Sequence, residues 1–208
     1  MPTILCYGDS NTWGAPPCLP GQQASRYPSH VRWPGVLATQ LGEDYTVVES
    51  GLCGRTSCFS DPVQGEYLNG LAHLPVALHT HSPLDMVIIM LGTNDLKTRF
   101  NATAQQVANN VGTLVEQVWA HLGEDMPVLI ICPPQAKDVD IPKSPFAGAD
   151  SVSEGMHLHF GRMAVDKDVP WLDAGDFIVS SNIVGIHLYE NAHRLLGEVV
   201  ADKVLSLL

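Results

Sequence analysis

A serine hydroxyl at a sharp strand-to-loop turn can attack a carbonyl carbon once a neighbouring base removes its proton. Ser10 stands in that position, because the apolar run Thr3 to Tyr7 leads straight into Gly8-Asp9-Ser10. The base for such chemistry is a histidine, and the chain has nine. His187 stands out among them, since Gly185-Ile186-His187 falls in the loop just before the last helical pattern. Acyl transfer also needs donors aimed at the oxygen that becomes negative. Three loops offer one each: the Ser10 N–H, the Gly54 N–H and the Asn94 side-chain amide. Glycine at 54 lets the backbone approach a reacting group with no side chain in the way.

For these loops to meet, the elements between them must form one layer. Short apolar runs at Thr3–Tyr7, Tyr45–Val48, Leu84–Leu91, Val128–Cys132 and Val169–Leu172 alternate with helical patterns. The run LDMVIIML is apolar on both faces, as suits a central parallel strand covered by helices. Behind the capping-box pattern Thr103-Ala104-Gln105-Gln106, the residues Val107, Val111, Leu114, Val115, Val118 and Leu122 repeat at helical spacing. Further helices are predicted over Trp33 to Leu41, Leu68 to His81, Ser153 to Lys167 and Glu190 to Leu208, with Pro75 expected to kink or split the second of them. Residues 15–28, rich in Pro and Gly, read as an extended loop. Five strand–helix alternations imply a single α/β domain over 1–208, with a parallel sheet and helices on both faces. In such sheets ligands bind beyond the carboxyl ends of the strands. Asp9-Ser10-Asn11, Gly51 to Thr56 and Gly92-Thr93-Asn94-Asp95 all fall at those ends.

Eleven basic against twenty-two acidic residues give a net charge of −11, so the basic footprint of a nucleic-acid or anionic-membrane partner is missing. Only 16% of residues are charged, which fits a chain that buries surface against its own copies, and a homo-oligomer is expected. With no basic leader followed by an apolar stretch, a cytoplasmic location is expected. Five cysteines without a CxxC pair argue for thiols rather than a disulfide framework or zinc site. The pairs His79-x-His81 and His157-x-His159 read as solvated, because i, i+2 positions on a helix face apart. No metal and no cofactor are expected, and the first turn lacks the glycine-rich loop of a nucleotide- or FMN-binding protein.

The ordered set GDSNTWG, Gly54, VIIMLGTND and GIHL resembles the blocks of the SGNH hydrolase (GDSL-type esterase) superfamily across nearly the whole chain. GLCGRTS and the DPxxxxxLNG pattern at Asp61 to Gly70 are similar to its arylesterase and acyltransferase branch. The resemblance implies a three-layer α/β/α sandwich of flavodoxin-like type. It also implies Ser10 as nucleophile, His187 as base and acid, and Ser10 N–H, Gly54 N–H and Asn94 as oxyanion hole. The resemblance implies an ester with a short acyl chain, the net charge of −11 suits a small neutral one, and Trp13, Cys53, Pro133 and Ile186 are candidates for its pocket. Acyl transfer to alcohols or peroxide, and a weakened ligand-binding homologue, stand as alternatives.

Two positions depart from the pattern. Val184 occupies the place, three residues before the histidine, where the family has an aspartate. Either a main-chain carbonyl near Val184 then orients the imidazole, leaving a Ser-His dyad, or a carboxylate from elsewhere does so, with Asp173 and Asp176 nearest in sequence. Ala15 stands where acyltransferase relatives carry a tryptophan, which favours hydrolysis over transfer. Asp9 and Asp95 read as turn and network residues, and Arg55 as a structural ion-pair partner.

Overall fold

The computed structural model describes residues 1–19, 21–22 and 25–208, so Pro20, Gln23 and Ala24 of the loop expected over 15–28 lie outside the described residues. Strands β1 (Thr3–Gly8), β2 (Thr46–Gly51), β3 (Met86–Met90), β4 (Val128–Cys132) and β5 (Trp171–Asp173) form one sheet. Its order is β2-β1-β3-β4-β5, and every pairing is parallel. The helices are α1 (Ser10–Trp13), α2 (Trp33–Leu41), α3 (Gly70–His81), α4 (Ala104–Leu122), α5 (Ala149–Ser153), α6 (Met156–Asp166) and α7 (Glu190–Leu205). None of the described helices is long and apolar enough to cross a membrane.

Successive strand residues point to opposite faces, and both faces are dry. Leu5, Tyr7, Val87, Ile89 and Ile130 face α3, α4 and α6, where they meet Leu74, Val111 and Phe160. Ile4, Cys6, Met86, Ile88 and Ile131 face α2 and α7, where they meet Trp33, Leu37, Leu196 and Val200. This is why the β3 run reads as continuously apolar, and it gives the expected three-layer α/β/α sandwich. The crossover changes direction between β1 and β3, so their carboxyl ends open onto a crevice.

Three boundaries differ from the sequence reading. Pro75 neither splits nor ends its helix: α3 runs unbroken through it, between the buried Leu74 and Leu78. The break falls at Asn69 instead, whose side chain accepts from Ala72 N and caps α3. α6 begins at Met156 after Gly155, separated from the short α5. β5 begins at Trp171 because Pro170 has no N–H to donate, although its carbonyl accepts from Ile130 N at 3.1 Å.

α1 rests directly on the strand ends. A Cβ at Gly8 would lie 2.0 Å from Thr12 Oγ1, and one at Gly51 would lie 2.2 Å from Trp13 N. Gly51→Ala should therefore cost about 1–3 kcal/mol of stability in urea unfolding, as overpacking does. Unchanged stability would mean that α1 does not bear on β2.

Candidate active site

Asp9 ends the turn after β1 and caps α1, its Oδ1 accepting from Asn11 N at 2.9 Å. Ser10 is thereby the first helical residue, with its Oγ 3.1 Å from His187 Nε2. Two segments 177 residues apart meet at this contact. His187 belongs to a loop held mainly through its backbone. Ser181 N donates to the His187 carbonyl at 2.8 Å, and Lys137 N donates to the Gly185 carbonyl at 2.8 Å. Gly185 takes φ +75°, and a Cβ there would stand 2.3 Å from the Lys137 carbonyl oxygen. The Asn11 side chain donates through Nδ2 to the Ile186 carbonyl at 2.9 Å.

Ser10, Gly54, Asn94 and His187 line one cavity of about 540 Å³, together with Trp13, Cys53 and Ile186. The buried Asn94 turns its Nδ2 toward Asp9 Oδ2, 3.4 Å away. Gly54 takes φ +87°, and its carbonyl accepts from Lys97 Nζ at 3.4 Å. Arg55 beneath this loop corrects the ion-pair expectation. Its Nη1 donates to the carbonyls of Gly8, at 2.8 Å, and of Ser50, and its guanidinium lies 4.1 Å from the Tyr7 ring centre. It thus ties the ends of β1 and β2 through main-chain oxygens. Trp13 lines the cavity, and Arg26 lies over its ring at 5.1 Å and donates to its carbonyl.

Burial dominates the electrostatics. It raises the Asp9 carboxyl to about 7, where the nearby Asp95 charge adds to the shift and the Asn11 N–H opposes it. Asp95, also raised by burial, to about 6, accepts from the Ser57 N–H at 2.9 Å and from the Ser57 hydroxyl. Both carboxyls serve loop geometry, as the sequence reading expects. Burial pushes the His187 imidazole down to about 4, and no carboxylate offsets it.

The groups expected to orient His187 are not assembled on it. Asp173, Asp176 and Pro133 line a different cavity, of about 740 Å³, beside β4 and β5. Asp173 spends its Oδ1 on Gly175 N at 2.9 Å. His187 Nδ1 is buried and has no hydrogen-bond partner among the described residues, neither a carboxylate nor a main-chain carbonyl.

The sequence reading missed four groups behind the cavity wall. Lys97 and Gln64 line the cavity, and Lys97 Nζ donates to Gln64 Oε1 at 2.6 Å and to Asp61 Oδ2 at 3.2 Å. Arg99 reaches the same Asp61 oxygen at 2.7 Å. Asp61 opens the DPxxxxxLNG pattern, so a signal was present; its cationic partners after GTND were not. The arrangement puts a hydroxyl and an imidazole in hydrogen-bond contact in a cavity that Gly54 and Asn94 also line.

Solved structures provide close counterparts. An aryl esterase of M. smegmatis is 40% identical, with a TM-score of 0.94 and complete coverage of both chains. Est24, a carbohydrate acetylesterase from Sinorhizobium meliloti, is 38% identical with a TM-score of 0.93, again over the whole of both chains. A carbohydrate acetylesterase family member from the same organism is 33% identical with a TM-score of 0.90, covering 99% of this chain and 98% of its own. No curated protein matches the chain. The family model of the GDSL-like lipases and acylhydrolases matches residues 6–195, which include the Ser10 turn, the Gly54 and Asn94 loops and His187. With nine-tenths of its length matched, and with the blocks of the pattern converging on one cavity, the chain belongs to the GDSL-like lipase/acylhydrolase family of the SGNH hydrolase superfamily.

Proposed function

We propose that the chain hydrolyses small neutral carboxylic esters with short acyl groups through an acyl-enzyme on Ser10. The observation that carries this reading is the 3.1 Å contact between Ser10 Oγ and His187 Nε2 in the cavity shared with Gly54 and Asn94. The aryl esterase and carbohydrate acetylesterases to which the chain is similar support the same bond type. The net charge of −11 supports an uncharged rather than an anionic substrate, and Lys97 in the cavity wall is paired with Asp61, which it shares with Arg99.

Ser10 Oγ attacks the ester carbonyl carbon while its proton passes to His187 Nε2. The carbonyl oxygen takes up the negative charge and is met by the Ser10 and Gly54 N–H groups and the Asn94 amide. His187 returns the proton to the departing alcohol oxygen, leaving the acyl group on Ser10. Water then attacks that acyl carbon with His187 again accepting the proton, the carboxylic acid leaves and Ser10 regains its hydrogen. Ala15, buried at the cavity, leaves the mouth without the extra aromatic wall, which favours water over an alcohol as acceptor.

Ser10→Ala should abolish turnover of p-nitrophenyl acetate, and equal rates in both proteins would sink the esterase reading. The pH dependence follows from the imidazole. A base must be neutral, and an imidazole held near 4 is neutral throughout the range above 5, so the acid limb of kcat/KM should fall near 4 rather than 6.5. Installing a carboxylate by Val184→Asp should stabilise the imidazolium, move that limb to higher pH and raise the rate by a substantial part of the ~10⁴ that a triad aspartate can supply. A pH–rate profile with neither change would mean that Nδ1 is already served.

A further inference from the structure

We infer that Asn11 is the positioning residue for His187, holding the imidazole on Ser10 in the place where a triad acid would otherwise do so. The inference rests on the esterase reading above. An acid at Nδ1 performs two tasks: it fixes the ring's orientation and tautomer, and it stabilises the imidazolium. Val184 offers no group for either, and Nδ1 is buried without a partner. Yet Nε2 stands 3.1 Å from Ser10 Oγ, so something other than Nδ1 sets the ring.

The contacts that do so are on the peptide. Asn11 Nδ2 donates to the Ile186 carbonyl, the peptide group immediately before His187, at 2.9 Å. Ser181 N grips the His187 carbonyl from the other side at 2.8 Å. Asn11 is itself anchored, since its own N–H donates to Asp9 and the residue is 1% exposed. Both partners of the proton transfer therefore hang from successive residues of α1: Ser10 presents the hydroxyl and Asn11 grips the backbone that carries the base.

The amide's other end supports a role for the donor. Asn11 Oδ1 is buried and accepts from nothing among the described residues. An orphaned acceptor costs stability that a leucine would not, so the group that earns its place is the Nδ2 donor. This clamp supplies geometry and no charge, in keeping with an imidazole that burial pushes down unopposed.

The test is a double-mutant cycle on p-nitrophenyl acetate. Asn11→Leu should lower kcat about 10- to 100-fold, the scale of an ångström misplacement, with KM nearly unchanged. In a Val184→Asp background, where the new carboxylate can orient the ring, the same substitution should cost only a few-fold. Equal losses in both backgrounds, or a loss carried by KM, would overturn the inference. Asn11→Asp keeps the shape and tests the donor without relying on the leucine variant folding. Its carboxyl can donate to the Ile186 carbonyl only when protonated, so its kcat relative to the parent should recover as pH falls toward 5. A ratio flat with pH would overturn the inference too. Turnover that survives Ser10→Ala would instead bring down the esterase reading, whatever Asn11 does.

Discussion

The short helix α1 lies against the ends of β1 and β2 with no space for a side chain between them, and the site depends on this contact. Thr12 fills the room over Gly8, and the Trp13 backbone fills that over Gly51. Any larger residue at either glycine would lift the turn, and Ser10 with it. Arg55 reinforces the seat from below by donating to the carbonyls of Gly8 and Ser50, which draws the two strand ends together. The hydroxyl's position is thus inherited from sheet geometry, and its distance to His187 is a distance between two well-anchored backbones.

The second loop of the site is fixed by charge. Asp61, fully buried, receives Lys97 and Arg99, and Gln64 accepts from both cations. Removing one partner of such a cluster would strand a buried charge, so the cluster anchors the loop that carries Gly54. Lys97 Nζ also donates to the Gly54 carbonyl, the acceptor of the peptide that follows the Gly54 N–H. A similar economy holds Asn94 through Asp9. On the proposed reading, the donors for a developing oxyanion would therefore be set before any substrate arrives, as electrostatic preorganisation requires.

The residues that chemistry demands were legible in the sequence, and the residues that hold them were not. Strand count, alternation and the meeting of the Ser10, Gly54, Asn94 and His187 loops follow from apolar runs punctuated by polar turns, because a parallel sheet puts all its carboxyl ends on one side. The α4 capping box is read directly, since Thr103 and Gln106 are local partners. The Asp61–Lys97–Arg99 cluster escapes such a reading: its members lie 36 and 38 residues apart, and no periodicity encodes a pairing across loops. Pro75 misleads because the rule for proline concerns one lost hydrogen bond and a clash, whereas burial of Leu74 and Leu78 on either side outweighs both. Asp173 and Asp176 are candidates through nearness to His187 in sequence, and Pro133 as a pocket wall, but β4 and β5 sit on the far side of the switch point and these three line a separate cavity.

Val184 separates two things that a triad aspartate usually delivers together. Orientation can be handed to the backbone, since a peptide gripped at the Ile186 and His187 carbonyls carries its side chain with it. Charge cannot be handed over so easily. A side-chain amide donor on the Ile186 carbonyl leaves the imidazolium as costly as burial makes it, and burial holds the His187 imidazole down at about 4. On the proposed mechanism the step that would suffer is the one in which the imidazole holds the Ser10 proton, so good leaving groups, which need little help from an acid, should lose less than alkyl alcohols. On the proposed mechanism the site would therefore favour activated esters: an amide on α1 would meet the acid's geometric task, while its electrostatic task would be left to the substrate's own leaving group.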